Sequence, residues 1–152
     1  MAPVITIYTD GSALGNPGPG GYGVVLISGP HRKELSQGFR LTTNNRMELT
    51  AVCVALEALK FDGSEVTIYS DSKYVVDAVM KGWVFGWERK MFSGKKNPDL
   101  WIRFLRAYRR HHVRFVWVKG HAETVENNRC DQLAVAAANG PTLLEDVGYQ
   151  SE

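Results

Sequence analysis

The 152-residue chain has only two cysteines, Cys53 and Cys130, and both fall in stretches that read as helices among apolar neighbours. They read as small core residues of a reducing compartment, not as a disulfide or a metal pair. No apolar run approaches the ~20 residues that span a bilayer, so no membrane partner is expected. Met1-Ala2-Pro3-Val4 passes straight into a strand without a basic leader or cleavage site, so no secretory signal is expected. Long linkers, low-complexity tracts and repeat arrays are also missing. What is present is ordinary globular composition, 44% apolar and 22% charged, long enough for one domain with a real core. The expectation is a single soluble domain in the cytoplasm.

The net charge of +2 hides an asymmetry. Residues 81–119 hold eleven Lys and Arg against two acids, Glu88 and Asp99, so that segment carries +9 and the remainder −7. A concentrated basic segment beside acidic positions suggests a polyanion that meets both a basic docking surface and a metal-neutralised acidic site.

The acids have a pattern. Thr6-Ile7-Tyr8-Thr9-Asp10-Gly11-Ser12 is echoed by Thr67-Ile68-Tyr69-Ser70-Asp71-Ser72. Each copy is a β-branched, aromatic run that ends in an aspartate followed by small turn residues, which reads as a buried strand stopping at a carboxylate. In an open α/β sheet, ligands collect at the carboxyl ends of strands. If the copies lie parallel and in this register, Tyr8 and Tyr69 share a face, and so do Asp10 and Asp71. Neighbouring strands lie roughly 4.8 Å apart, and paired metal ions in phosphoryl-transfer sites about 3.5–4 Å apart. The phrase by itself is read equally well as two turn aspartates.

Strands are expected at 4–9, 24–27 and 33–41, joined as an antiparallel meander. Thr42-Thr43-Asn44-Asn45 supplies N-cap chemistry for a helix over 45–60, with Leu49, Val52, Cys53, Leu56 and Leu59 on its apolar face. A strand at 65–70 and a helix at 72–81 follow, the latter stopped by Gly82. Residues 82–98 read as irregular, basic and aromatic. A helix runs from Pro98 to about 110, a strand over 113–118, and a last helix over 126–138, stopped by Asn139-Gly140-Pro141. This order gives an α/β fold with a five-stranded mixed sheet, a three-strand meander plus parallel strands, flanked by helices. Gly18-Pro19-Gly20-Gly21-Tyr22-Gly23 matches a dinucleotide fingerprint in letters only, because it runs into a strand and opens no helix.

Four acids stand where a sheet end and its flanking helices converge: Asp10, Asp71, Glu48 in the first turn of its helix, and Asp131 in the first half of the last helix. Acids at the edge of a core face are costly unless neutralised, and four close carboxylates cannot all ionise without cations. Oxygen ligands of this kind suit Mg²⁺ or Mn²⁺. Two alternatives stay open: Glu48 as a favourable acid at a helix N-terminus, and Asp131 as a solvated helix acid.

Asp10-Gly-Ser, Gly15-Asn16-Pro-Gly-Pro-Gly-Gly-Tyr-Gly, Thr43-Asn44-Asn45-Arg46-Met47-Glu48-Leu49, Ser-Asp71-Ser, Trp117-Val-Lys-Gly-His121 and Asn128-Arg-Cys-Asp131 occur in order across nearly the whole chain. Together they resemble the type 1 ribonuclease H family. The resemblance implies a ribonuclease H-like fold and internal hydrolysis of the RNA strand of RNA–DNA hybrids, leaving 5′-phosphate and 3′-hydroxyl ends. It implies that Asp10, Glu48, Asp71 and Asp131 bind metal, and that His121 helps with proton traffic or with product and metal release. His31, His111 and His112 match no motif and are expected on the surface.

The same resemblance implies substrate contacts. Asn16, Asn44 and Asn45 would line the hybrid's minor groove, where amides exchange hydrogen bonds with 2′-hydroxyls. Thr43 and Asn97 would hold a DNA-strand phosphate, with helix capping as their other reading. Residues 81–96 match a basic protrusion, which places Trp83 and Trp87 along the DNA strand and Lys95 and Lys96 against phosphates. Packing between helices is the other reading of the tryptophans. The chain departs from the family pattern in a shorter protrusion containing Glu88, in Phe92, in Lys73, and in Ala122-Glu123-Thr124-Val125 after His121. The expectation is thus a monomeric two-metal nuclease spanning 1–152, with a basic protrusion at about 81–98 and Mg²⁺ or Mn²⁺ as cofactor. A non-catalytic hybrid-binding domain and another nuclease or integrase-like enzyme on this fold are the competing readings.

Overall fold

In the computed structural model, which describes residues 2–119 and 124–149, the elements run in the order β1 (Val4–Ala13), β2 (Gly18–Ser28), β3 (His31–Thr42), α1 (Asn44–Glu57), β4 (Glu65–Ser70), α2 (Lys73–Met80), α3 (Trp83–Arg89), α4 (Pro98–Tyr108), β5 (His112–Trp117), α5 (Val125–Ala138) and β6 (Leu143–Leu144). The strands form one sheet in the order β5-β4-β1-β2-β3-β6. The two copies of the echoed phrase lie side by side, parallel and in the anticipated register, with Thr6 opposite Thr67 and Tyr8 opposite Tyr69. The tyrosine rings stack with centroids 4.9 Å apart.

One face of the sheet is covered by α1, α2 and α4. Ile5 and Ile7 of β1, Val24 and Leu26 of β2, and Ile68 of β4 are buried there with Leu49, Val52, Cys53 and Leu56 of α1 and Trp101 and Phe104 of α4. Helix α5 packs on the opposite face, across β2, β1 and β3. Both cysteines are free and buried, as expected.

Four features differ from the sequence expectation. The sheet has a sixth strand, β6, parallel to β3 through Gly38 and Leu143; two residues are too few to show a period-2 pattern. Strand β2 begins at Gly18, so the glycine-rich stretch is strand; its missing side chains make room for α5 and α1. Residues 83–89 form α3, because Val84 is buried and Phe85 and Trp87 pack on Tyr108 and Trp101. Tertiary burial there outweighs weak helix propensity. His111 is buried rather than on the surface, and its Nδ1 accepts the Ser64 backbone N–H at 3.3 Å.

Arg46, on the first turn of α1, is only 2% exposed. Its guanidinium donates to Asp146 (2.7 and 2.9 Å), Asp99 (3.0 and 2.8 Å) and Asn97 (3.1 Å). It thereby ties α1 to the start of α4 and to the segment after β6. Removing one partner of a buried pair strands the others, so Arg46→Ala is expected to lower the unfolding free energy by about 3–5 kcal/mol in urea denaturation. A loss under about 1 kcal/mol, the scale of a surface pair, would mean the cluster carries little of the fold.

Candidate active site

Asp10 lies where β4 stops and β1 continues. Pairing of β1 with β4 ends at Tyr8 and Tyr69, but β1 runs on against β2, with Asp10 opposite Gly23. Asp10 is therefore inside a strand, not at its end. Asp71 does leave its strand, sitting between β4 and Ser72, which caps α2 by accepting from the Val75 N–H at 3.3 Å. Glu48 stands in the second turn of α1, whose first turn holds no acid; a favourable helix-end charge does not account for it.

Oxygen atoms of Asp10, Glu48 and Asp71 all lie within 4.8 Å of one another. Glu48 Oε1 and Asp71 Oδ1 are buried with no hydrogen-bond partner. Burial, then the Asp71 charge, then Asp131, push the Asp10 carboxyl up to about 8, against the Gly11 N–H that it accepts at 2.9 Å. Burial, followed by the charges of Asp10 and Asp71, also holds Glu48 well above its usual range. Asp131, on α5, lines the same cleft of about 330 Å³. It is exposed and is not one of the three tightly grouped acids. A larger cleft of about 450 Å³ opens at the other end of β4 and β5, beside Val4, Glu65 and His111, far from these acids.

Other residues gather around the cleft. The Asn44 backbone N–H donates to Asn16 Oδ1 at 3.2 Å, and Asn44 Oδ1 accepts from the Ala13 N–H at 2.7 Å. These bonds join the glycine-rich connection to the start of α1 and use the carbonyl end of each amide. Asn45 is exposed beside them. Thr43 caps α1, accepting from the Arg46 N–H at 3.2 Å. Asn97 precedes α4 with a left-handed φ of 61° and does not cap it through its side chain; its amide accepts from Arg46 and donates to the Tyr74 hydroxyl at 3.0 Å. Arg46 thus joins Thr43 and Asn97.

The tryptophans divide. Trp87 packs edge-on against Trp101 at 5.7 Å, with Lys95 Nζ 5.1 Å from its centroid. Trp83 is 48% exposed under Lys81. Lys95 and Lys96 are both exposed. The basic segment is less free than its charge suggests, because Arg103, Arg109 and Arg110 pair with Glu57, Glu88 and Asp62. His121 lies outside the described residues.

Sequence reasoning gave no role to Thr9, Ser12, Asn127 and Asn128, which also line the acid cleft. A signal existed for the last two: they precede Asp131 by four and three residues, so they share its helix face.

Buried carboxylate oxygens without donors, in a group whose own charges drive it toward neutrality, form an oxygen-only donor set that fits a hard divalent cation. Fold and acid cluster together fit a metal-dependent hydrolase. A sequence profile of the RNase H family matches residues 2–139. The chain is 56% identical over 150 residues to the Ribonuclease H of Syntrophus aciditrophicus (strain SB), covering 95% of this chain and 86% of that protein. It is 53% identical over 157 residues to the Ribonuclease HI of Pasteurella multocida (strain Pm70), covering 100% of each. The structure resembles that of LC9-RNase H1, a type 1 RNase H with the type 2 active-site motif, with a TM-score of 0.84 and 34% identity over 93% of this chain and 75% of that one. It also resembles LC11-RNase H1 in complex with RNA/DNA hybrid, with a TM-score of 0.65 and 27% identity over 89% and 96%. The chain belongs to the RNase H family, and its activity is hydrolysis of the RNA strand of RNA–DNA hybrids.

The raised Asp10 carboxyl has a consequence for stability. Its folded-state value of about 8 lies above the ordinary 3.8. In metal-free protein the associated stability is complete below about pH 4 and is lost as pH rises toward 8. Asp10→Asn, which cannot ionise, is expected to raise the melting temperature in chelator at pH 8, with the gain vanishing near pH 4. A gain independent of pH would contradict the assignment.

Proposed function

We propose that Asp10, Glu48, Asp71 and Asp131 hold two divalent ions, Mg²⁺ with Mn²⁺ as a working substitute, and that cleavage is internal, leaving 5′-phosphate and 3′-hydroxyl ends. The observation that carries this reading is the convergence of three carboxylates within 4.8 Å, two of them with buried, unpartnered oxygens. Bound there, such ions lower the pKa of water and stabilise charge on the attacking and leaving oxygens of an in-line displacement. The chain's own part is to hold the acids rigidly around a cleft that admits a backbone phosphate.

Asn16, Asn44 and Asn45 offer amide groups on the rim of that cleft, where 2′-hydroxyls of the RNA strand would distinguish it from DNA. The hybrid-bound relative supports this choice of partner. Thr43 and Asn97, joined through Arg46, would receive a DNA-strand phosphate. Trp83, Lys95 and Lys96 would follow the DNA strand along the protrusion, with Trp87 doing more of its work in packing. His121 would move a proton during the reaction or at product release. The protein acts as a single domain over 1–152, as a monomer, in the cytoplasm. Among the described residues, no helix is long and apolar enough to cross a membrane.

Incubation with matched RNA–DNA, RNA–RNA and DNA–DNA duplexes in Mg²⁺ or Mn²⁺ tests the reading. Only the RNA strand of the hybrid is expected to be cut; hybrid binding without cleavage would favour a non-catalytic binding domain. Glu48→Gln should slow cleavage by more than about 100-fold, since even the outer partners of metal ligands are worth 10–100-fold, while hybrid binding persists. Replacing Lys95 and Lys96 with Ala should weaken binding and lower the slope of log K against log salt by about 1 for each phosphate that these lysines neutralise. An unchanged slope would remove both from the interface.

A further inference from the structure

Two glycines flank Asp10. Gly11 follows it on β1, and Gly23 pairs with it from β2. Neither has a positive φ, so the backbone conformation itself does not require glycine at either position. What requires it is the approach of two helices from opposite faces of the sheet. A Cβ on Gly11 would stand 2.3 Å from the Met47 carbonyl carbon and 2.5 Å from the Glu48 nitrogen, on α1. A Cβ on Gly23 would stand 2.2 Å from the Cys130 carbonyl oxygen and 2.8 Å from Leu133 Cβ, on α5. Real Cβ atoms essentially never come within 3.0 Å of such neighbours. Each helix therefore rests on the sheet backbone to backbone, and at the point where it touches it carries an acid of the cleft. On α1 that point is Glu48 itself, whose Oε1 is buried and unpartnered; on α5 it is the residue before Asp131.

We propose that Gly11 and Gly23 are positioning residues of the acid cluster. Their missing side chains set how closely α1 and α5 approach Asp10, and so fix the separation of Glu48 and Asp131 from the Asp10–Asp71 pair. The proposal rests on the reading of these four acids as metal ligands. A methyl group at either position forces its helix outward along the line that brings its acid to the others, and a misplacement of about 1 Å at a reacting centre costs roughly 10²-fold.

The fold contains its own control. Gly38 of β3 also lies under α5, and a Cβ there would stand 2.1 Å from the Ala137 carbonyl oxygen, at the end of the helix remote from Asp131. Gly23→Ala and Gly38→Ala thus meet the same helix with nearly equal overlap. Melting temperature and Mg²⁺ affinity by titration calorimetry are measured for both variants, with kcat and KM on hybrid. Both variants are expected to melt at lower temperature. Gly23→Ala alone is expected to weaken Mg²⁺ binding about tenfold or more and to lower kcat with KM for hybrid little changed, as for a loss of positioning at the reacting centre. Gly11→Ala should do the same from the α1 side.

If Gly23→Ala does not fold, Gly21→Ala takes its place. A Cβ there would stand 2.5 Å from the Ala134 carbonyl oxygen, about one turn from Asp131, and it should weaken Mg²⁺ binding more than Gly38→Ala does. Equal effects of the near and remote glycines on Mg²⁺ affinity would overturn the proposal while leaving the metal site standing. A parent protein that takes up no Mg²⁺, with Asp10→Asn indistinguishable from it, would overturn the metal reading and this proposal together.

Discussion

Oxygen atoms of Asp10, Glu48 and Asp71 lie within 4.8 Å of one another where β4 stops beside β1, and burial withholds from Asp10 and Glu48 the water that would otherwise solvate their charge. Two unit charges about 5 Å apart at an effective dielectric of 20 repel by about 3 kcal/mol. Three such groups cannot all ionise for nothing: either protons stay on, or cations come in. The elevated Asp10 and Glu48 carboxyls record the first solution, and the unpartnered oxygens of Glu48 and Asp71 leave room for the second. The rest of the fold holds this unfavourable arrangement in place. Register between β1 and β4 aligns Asp10 with Asp71, α1 capped by Thr43 brings Glu48, and α5 capped by Thr124 brings Asp131.

The opposite charge is deployed differently. Several arginines of the basic segment are engaged in surface ion pairs, Arg103, Arg109 and Arg110 with Glu57, Glu88 and Asp62. Lys81, Arg89, Lys90, Lys95 and Lys96 belong to the protrusion, with Lys81 and Lys95 over the faces of Trp83 and Trp87. Lys73, beyond Asp71, lies over the Trp117 ring at 4.7 Å. A polyanion would therefore meet cations beside the acids rather than among them.

Repetition and periodicity were the most legible parts of the chain. The echoed phrase offered the parallel pairing and its register as a condition, which the structure meets, with both copies alternating buried and half-buried residues in the same phase. The apolar face of α1 was legible because Leu49, Val52, Cys53 and Leu56 recur at helical spacing. Features that depend on distant segments meeting were not legible. Gly18–Gly23 fell outside the strand expected at 24–27 because its reason for being strand, the closeness of α5, is written more than 100 residues away. Residues 83–89 read as irregular because the partners of Phe85 and Trp87 lie on α4. Arg46 looked like part of a motif and proved to be a buried cation holding two aspartates. His111 looked like surface because nothing local announces the Ser64 N–H that it accepts. Among the acids, residue type and position were enough to nominate four, but the closeness of three and the exposure of Asp131 required the packed structure.

Crowding and burial suppress ionisation of Asp10 and Glu48 until a cation relieves it. Carboxyl-carbon NMR of the metal-free protein, titrated with pH and then with Mg²⁺, tests it most directly. Asp10 is expected to titrate near pH 8 without metal and to fall into or below the ordinary carboxylate range once Mg²⁺ is bound, with Glu48 moving in the same direction. Ordinary titration of Asp10 and Glu48 in the absence of metal, unchanged by Mg²⁺, would contradict it.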